Sequence, residues 1–220
     1  MIQISNWQLI PWKQFYRETA QIQERIVMAH RTKKPKLVYQ LQRQLVVSLA
    51  ARAIAVRRVV TNSGSKTPGF DKVSWKTPNE RMKAIALLGD ITHAPREYRA
   101  LPLKRVWIPK ETGSELRPLG IPTLIDRAAQ AVYQMAIDPI VECESDPHSY
   151  GFRIYRSGQD ALTRLRTLLD KRTSPEWILD GDVAKCFDRI SHPFLLENTP
   201  VCDKGPLEQW LKCGIIEEGV

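Results

Sequence analysis

The chain has 220 residues, of which 43% are hydrophobic and 26% charged, a composition typical of a globular protein with one sizeable core or two small ones. It has no apolar run near the roughly 18 residues of a membrane span, which disfavours a membrane protein. Its start does not have the pattern of a secretory signal. The four cysteines have no regular spacing, which disfavours a disulfide framework and a zinc site. The net charge of +9 is divided unevenly, because residues 1–110 have a balance of +15 and residues 111–220 a balance of −6.

Two amphipathic helices are predicted in the basic half. Residues 11–31 place Phe15, Ile22 and Ile26 near one face, and Pro35 ends this helix because proline cannot continue it without losing a hydrogen bond. A longer second helix is predicted over residues 37–60, with an apolar stripe at helical spacing. The stripe consists of Leu37, Leu41, Leu45, Leu49, Ala53 and Ile54.

The arginines of the second helix are the first candidate site. Arg43, Arg52, Arg57 and Arg58 lie around the apolar stripe, where they form either a solvated face or a face that binds phosphates. The charge balance of +15 over residues 1–110 is self-repelling unless a polyanion neutralises it, so nucleic acid is the favoured partner. A surface charged only for solubility is the alternative.

A loop over residues 61–71 follows, dense in turn-forming residues and basic at Lys66. It is either a plain linker or a phosphate contact, because hydroxyls, backbone amides and a lysine suit phosphate oxygens. A short helix is predicted over residues 79–88, with Pro78 placed for its start.

A β-hairpin is predicted next. Residues 104–110 and 115–122 are extended runs around a short glycine-bearing turn, and their prolines mark strand ends or an edge. Lys110 and Arg117 lie on adjoining strands, where two cations can close over a triphosphate. A basic hairpin tip in solvent is the alternative.

Three helices and one strand are predicted in the remainder of the chain. The first helix covers residues 124–141, and the second starts at Ser157, whose hydroxyl can cap it while Asp160 occupies the third helical position. Residues 177–183 form an apolar strand, and Ser191 begins a last helix. The stripe of the second helix is Leu162, Leu165 and Leu168.

Acids at the carboxyl end of the predicted strand are the strongest candidates for chemistry. An acid at the end of a buried strand is costly unless it meets a cation or hydrogen-bond donors, and a carboxylate there suits Mg²⁺. From their spacing alone, Asp180, Asp182 and Asp188 could equally be loop caps.

Residues 177–188, WILDGDVAKCFD, resemble the first carboxylate motif of reverse transcriptases, a strand that ends in Asp-x-x-x-x-Phe/Tyr. The resemblance implies that Asp182 binds a catalytic metal ion and that Phe187 lies under the incoming sugar and excludes a 2′-hydroxyl. By the same match, Val183 is placed with the nucleotide-binding residues. Asp180 and Asp188 lie outside the ligand position and are interpreted as structural.

Further stretches resemble the reverse transcriptases encoded by group II introns. The hairpin is similar to the family's fingers hairpin, Ile-Pro-Lys…Arg-Pro-Leu-Gly-Ile-Pro-Thr, which implies that Lys110 and Arg117 contact the phosphates of the incoming nucleotide. Residues 149–157, SYGFRIYRS, resemble Ser-Tyr-Gly-Phe-Arg-Pro-x-Arg-Ser, with Ile154 and Tyr155 where proline and a small residue are usual. That departure puts the local turn geometry in doubt.

The amino-terminal region resembles the extension with which the intron enzymes grip template and intron RNA. Retroviral enzymes lack this block, so the intron lineage is favoured over other reverse transcriptases. The resemblance implies a set of RNA-binding residues on the second helix and the following loop. They are Arg43, Arg52, Arg57, Arg58 and Lys66.

We therefore expect an α+β fold, with a helical basic amino-terminal extension over residues 1–100. Residues 101–220 are expected to form fingers with a β-hairpin and helices, followed by the start of an incomplete right-hand polymerase palm. The family's Tyr-x-Asp-Asp motif does not occur in the sequence. Two-metal phosphoryl transfer needs carboxylates on both sides of the site to hold two Mg²⁺ ions about 3.5–4 Å apart. The chain alone is therefore expected not to polymerise.

The expected function is that of the amino-terminal part of a group II intron reverse transcriptase, or maturase. Its expected partners are intron and template RNA, a deoxynucleoside triphosphate and, in the complete enzyme, primer DNA, with no membrane involved. A bacterial-type cytoplasm or an organellar matrix is the expected compartment. One alternative is a non-catalytic RNA-binding maturase fragment that assists splicing, and another is a basic nucleic-acid module of only remote likeness.

Overall fold

The computed structural model describes residues 6–109 and 115–217 as a fold of helices with one small sheet, which confirms the α+β class. The helices are α1 (Trp12–Arg31), α2 (Pro35–Val46), α3 (Leu49–Thr61), α4 (Pro78–His93), α5 (Leu124–Glu144), α6 (Gly158–Leu169), α7 (Cys186–Arg189), α8 (His192–Asn198) and α9 (Lys204–Lys212). The strands are β1 (Leu103–Pro109), β2 (Leu116–Ile121) and β3 (Ile215–Ile216). Within the described ranges, no helix combines the length and the apolarity needed to cross a bilayer.

The hydrophobic core lies where α1, α2, α3 and α5 pack together. At its centre, Val132, Tyr133 and Ala136 of α5 are buried. The predicted apolar face of α1 is confirmed for Phe15 and Ile26, which are buried there. Most of this core comes from the amino-terminal half of the chain and from α5, and Cys202 adds to it from the chain after α8. The helices α6 and α7 contain no buried residue.

The single helix predicted over residues 37–60 is wrong, because the segment forms two helices, α2 and α3. The chain turns between them at Ser48, whose hydroxyl accepts a hydrogen bond from the N–H of Ala51 at 3.0 Å. This cap satisfies an amide that would otherwise have no partner in the first turn of α3. Leu41 and Ile54 of the predicted stripe are buried, whereas Leu37 is exposed.

Side-chain caps define the starts of α4 and α6. Thr77 and Glu80 form a reciprocal capping box at α4, which is longer than predicted and continues to His93. Ser157 and Asp160 form the same arrangement at α6, which confirms the predicted helix start. The predicted stripe of α6 is about half exposed and does not pack into the core, and it consists of Leu162, Leu165 and Leu168.

The predicted hairpin is confirmed as an antiparallel pair of β1 and β2, with Ile108 opposite Arg117. The strand order is β2-β1-β3, so β2 is an edge strand, and it accommodates Pro118, which has no N–H to donate. The parallel strand β3 was not predicted. It follows Gly214, whose carbonyl accepts a hydrogen bond from the N–H of Leu103 at 3.0 Å.

The helix predicted to start at Ser191 is confirmed as α8, but it is not the last, because α9 and β3 follow it. The chain after α8 returns to the amino-terminal helices. The buried amide of Gln42 donates hydrogen bonds to the carbonyls of Ala136 (3.1 Å) and Pro200 (2.6 Å).

The strand predicted over residues 177–183 is wrong. This segment is irregular, and the side chains of Trp177 and Leu179 are 91% and 96% exposed. A strand is stable when neighbouring strands take its backbone hydrogen bonds and other elements cover its faces. None of the described strands pairs with this segment, so the expected first palm strand is not formed among the described residues.

Candidate functional site

Two of the predicted RNA-binding arginines have their guanidinium groups bound within the protein. Arg43 donates to the carbonyls of Thr92 (2.6 Å) and His93 (3.1 Å) and forms an ion pair with Asp203 at 3.0 Å. Arg52 donates to the carbonyl of Ile85 at 3.3 Å, and burial lowers the pKa of its guanidinium from the ordinary value. Both arginines therefore hold α4 and the returning chain against α2 and α3.

The other predicted cations of this region lie at the end of α3 and in the turn that follows it. Arg57 lies over the rings of Trp12 and Tyr16, with centroid distances of 4.6 and 5.7 Å. With these two ring contacts Arg57 is half-buried. Arg58 and Lys66 are exposed. The structure thus groups Arg57, Arg58 and Lys66 near the end of α3 and the turn that follows it.

Arg127 fixes the loop that contains Lys66. Its guanidinium donates to the carbonyls of Pro122 (2.9 Å), Gly64 (2.9 Å) and Thr67 (2.7 Å), and burial lowers its pKa from the ordinary value. The loop also approaches α5 closely at Gly69, where an added Cβ would lie 2.7 Å from the backbone of Thr123. Glycine is required at this contact because any side chain would force the loop away from α5.

Asp126 lies at the base of the hairpin in a buried polar network. It is only 2% exposed, and its carboxylate accepts hydrogen bonds from the hydroxyls of Thr123 (2.6 Å) and Tyr98. The Tyr98 hydroxyl accepts in turn from the indole N–H of Trp210 at 2.8 Å. Burial, followed by the hydrogen bond to Asp126, raises the pKa of Tyr98 from its ordinary value. The network joins α9 to the first turn of α5.

Sequence reasoning assigned no role to Asp126 or Arg127. Both lie within the run that matched the fingers hairpin. The sequence signal that could have pointed to them is an Asp at the third position of a helix, followed directly by an Arg. Their partners could not be read from local sequence, because Tyr98 and Gly64 lie 28 and 63 residues away.

Of the two hairpin cations, Arg117 is exposed on the edge strand β2. Lys110 lies outside the described residues. Their predicted convergence on a triphosphate therefore stays a prediction.

The loop over residues 145–157 is fastened to the end of α5 by Arg153. Its guanidinium donates to both carboxylate oxygens of Glu142, at 2.9 and 2.7 Å, and to the carbonyls of Asp146 and Ser149. Arg156 also contacts Glu142, at 2.8 Å. Hydrogen bonds from these two arginines lower the pKa of Glu142 from its ordinary value.

The aromatic side chains of this loop point outward. Phe152 and Tyr155 both have φ near 60°, a left-handed conformation that is strained for bulky residues. Phe152 is 96% exposed, and its ring contacts that of Phe187 edge to face with centroids 6.4 Å apart. The structure thus brings Phe152, from the motif at residues 149–157, into contact with Phe187, from the first carboxylate motif.

The residues matched to the first carboxylate motif lie at the surface. Asp182, Val183 and Phe187 are exposed, and Lys185 has a left-handed φ of 52° just before α7. Among the described residues, no three histidine, cysteine or acidic side chains converge as a metal site. The resemblance assigns a metal-ligand role to Asp182 alone, and one carboxylate does not make a complete Mg²⁺ site.

Comparison with known families gives two matches in chain order. Residues 7–88 match the N-terminal domain of reverse transcriptase, and residues 108–218 match reverse transcriptase (RNA-dependent DNA polymerase). The two matched regions include the candidate cations of α3, Arg117 of the hairpin and Asp182.

Individual relatives come from bacteria and yeast. The chain is 36% identical to the protein YkfC of Escherichia coli K12 over 166 residues, which cover 74% of this chain and 43% of the relative. It is 31% identical to the group II intron-encoded protein LtrA of Lactococcus lactis over 145 residues, which cover 65% of this chain and 23% of the relative. It is 29% identical to a putative COX1/OXI3 intron 1 protein of Saccharomyces cerevisiae over 170 residues, which cover 75% of this chain and 20% of the relative. The chain spans less than half of the length of each of these relatives.

Proposed function

Because this chain belongs to the reverse transcriptases encoded by group II introns, we propose that its basic first half binds intron and template RNA. We further propose that Asp182 contributes the first metal-binding carboxylate of an RNA-directed DNA polymerase. In this proposal Lys110, Arg117, Val183 and Phe187 contact the incoming deoxynucleoside triphosphate. Primer DNA and Mg²⁺ are partners of the complete enzyme.

The observation that carries the RNA part of the proposal is the arrangement of cations at the end of α3. The first 110 residues have a charge balance of +15, and the exposed Arg58 and Lys66 are both tied to α5, Arg58 by its hydrogen bond to Gln134 and the loop of Lys66 by Arg127. Cations on a fixed framework neutralise phosphates at a smaller entropic cost than cations on a free loop. This supports binding of a polyanion at this face.

The polymerase part of the proposal has separate support. The family match covers residues 108–218, and Phe187 contacts the loop that contains the second matched motif. A metal ion bound with Asp182 would polarise a phosphate oxygen of the nucleotide. The remaining ligands would have to come from residues outside the described parts of this chain.

A non-catalytic RNA-binding protein that assists intron splicing is the second candidate. It is favoured by one observation, namely that the core formed by α1, α2, α3 and α5 does not include the segment around Asp182. The RNA-binding face can therefore fold without a polymerase site. The bacterial and yeast relatives suggest a bacterial cytoplasm or an organellar matrix as the compartment.

Binding measurements on the chain itself test the RNA part. We expect tighter binding to structured intron RNA than to duplex DNA of equal length, with an affinity that falls as salt rises from about 50 to 200 mM. Equal affinity for both nucleic acids would contradict the proposal. Faster splicing of intron RNA on addition of the chain would favour the second candidate, since splicing assistance needs no Asp182.

A further inference from the structure

A groove of about 440 Å³ lies between the carboxyl-terminal end of α3 and one side of α5. Its volume is within the range of roughly 300–1,000 Å³ found for small-ligand sites. Arg58 and Asn62 line it from α3 and the turn that follows. Arg127, Gln130 and Gln134 line it from α5, where a spacing of three and four residues places them on one helix face.

Both charges in the lining of the groove are positive. They belong to Arg58 and Arg127. Asp138 interacts with Arg58 and Asp71 interacts with Arg127, but neither acid lines the groove. Arg58 is exposed and uses one nitrogen to donate to the side-chain oxygen of Gln134 at 2.9 Å, which leaves its other donors available.

One side-chain amide supplies both a donor and an acceptor to the groove. The side chain of Gln130 makes no hydrogen bond to any described residue, so its oxygen and its NH₂ are both available. Gln134 accepts from Arg58 through its oxygen and also hydrogen-bonds to Asp138, so it fixes the wall of the groove. Val59 and Ala131 add apolar surface to the lining. A nucleobase has a matching chemistry, with an edge of donors and acceptors and a flat apolar face.

We propose that this groove binds one unpaired nucleotide of an RNA strand. Arg58 contacts its phosphate, and Gln130 contacts the edge of its base. The inference rests on the proposed RNA-binding function and adds the class of RNA, because a base inside a helix stack cannot present its pairing edge to amides in a groove. Single-stranded positions such as bulges are therefore the expected ligand.

Anisotropy measurements with the whole chain test this inference with two RNAs. One is a blunt-ended RNA duplex, and the other is the same duplex with a single bulged nucleotide. The unaltered chain should bind the bulged duplex about five-fold more tightly, the size expected for one or two net hydrogen bonds. Gln130→Leu should remove this preference, so that the variant binds both duplexes with equal affinity.

Gln209→Leu is the matched control, because Gln209 is also partly exposed on a helix but lies on α9, outside the groove. It should keep the preference for the bulge. Equal binding of both duplexes by the unaltered chain would overturn the groove inference and leave RNA binding in place. Failure to bind either duplex would overturn both proposals.

Cross-linking gives a second readout that does not depend on a variant. With 4-thiouridine at the bulge, the cross-linked peptide of the unaltered chain should come from α5 or the end of α3. Cross-links found only outside these helices would overturn the inference.

Discussion

The ring of Phe187 lies edge to face against the ring of Phe152, with centroids 6.4 Å apart. Phe152 belongs to the loop that Arg153 fastens to Glu142 at the end of α5. Pairs of this geometry contribute about 0.5–1.5 kcal/mol beyond burial. The contact therefore links the residue assigned to the incoming sugar to the folded body of the protein.

The sugar selectivity of a complete enzyme containing this sequence should depend on both rings. We expect Phe187→Ala to admit ribonucleotides, because in the proposed assignment its ring excludes a 2′-hydroxyl. Phe152→Ala should have a smaller effect in the same direction, since it removes only the neighbour of Phe187. The ratio of kcat/KM for deoxyribonucleotides and ribonucleotides measures this. Tyr155→Ala is the control, and unchanged selectivity in Phe187→Ala would reject the assignment.

The metal-ligand assignment predicts a much larger effect in the same complete enzyme. Asp182→Ala should abolish primer extension, because two-metal transfer requires carboxylates that hold the ions in place. Asp180→Ala should retain activity, since Asp180 lies outside the ligand position. A primer-extension assay at saturating Mg²⁺ compares the two variants. Extension that survives in Asp182→Ala would refute the assignment.

Elements with local signals could be predicted from sequence. The capped start of α6 depends on Ser157 and Asp160, three residues apart, and the hairpin depends on two extended runs around a turn. The break at Ser48 was missed because apolar residues on both sides continue the helical pattern. The short-range sequence pattern does not distinguish a serine inside one long helix from a serine that caps the start of a second helix.

Features that depend on partners far away in the sequence could not be predicted from local sequence patterns. Arg43 was assigned to RNA, but its carboxylate partner Asp203 lies 160 residues further along the chain. The strand over residues 177–183 was predicted from apolar residues alone, although a strand also needs neighbours to pair with. The exposure of Asp182 follows from that missing pairing and not from its own motif.

RNA binding should respond to Arg58 through its salt dependence. Arg58→Ala should weaken binding and reduce the slope of log affinity against log salt by about one, as expected for the loss of one phosphate contact. Arg172→Ala is the control, because Arg172 is exposed but lies in the acidic half of the chain. A slope that does not change in Arg58→Ala would remove the end of α3 from the binding face.

The buried network around Asp126 should contribute strongly to stability. The hydroxyls of Thr123 and Tyr98 donate to different oxygens of Asp126, so Asp126→Asn sets a donor against one of them, and we expect a loss of about 2–3 kcal/mol in the free energy of unfolding. Urea denaturation measures this loss. Asp180→Asn should cost almost nothing, because Asp180 is exposed. Equal stability of the two variants would show that the network contributes little.

Acid should release the loop over residues 145–157 from α5. The pKa of Glu142 is lowered by its hydrogen bonds to Arg153 and Arg156, so the anchor is fully present above the ordinary glutamate pKa of 4.5 and is lost as pH falls through the lower, folded value. Hydrogen exchange of the loop amides, corrected for intrinsic rates, should therefore rise relative to that of α5 as the solution is acidified from pH 6.

Glu142→Gln separates this anchor from general acid unfolding. The variant retains a side-chain acceptor but lacks the charge that two arginines share, so its loop should exchange rapidly already at pH 6 and change little on acidification. Amides of α5 should stay protected in both proteins, which shows that the core remains folded. If the loop of the unaltered protein were no better protected than that of Glu142→Gln at pH 6, the ion pairs would not hold it, and the position of Phe152 beside Phe187 would need another cause.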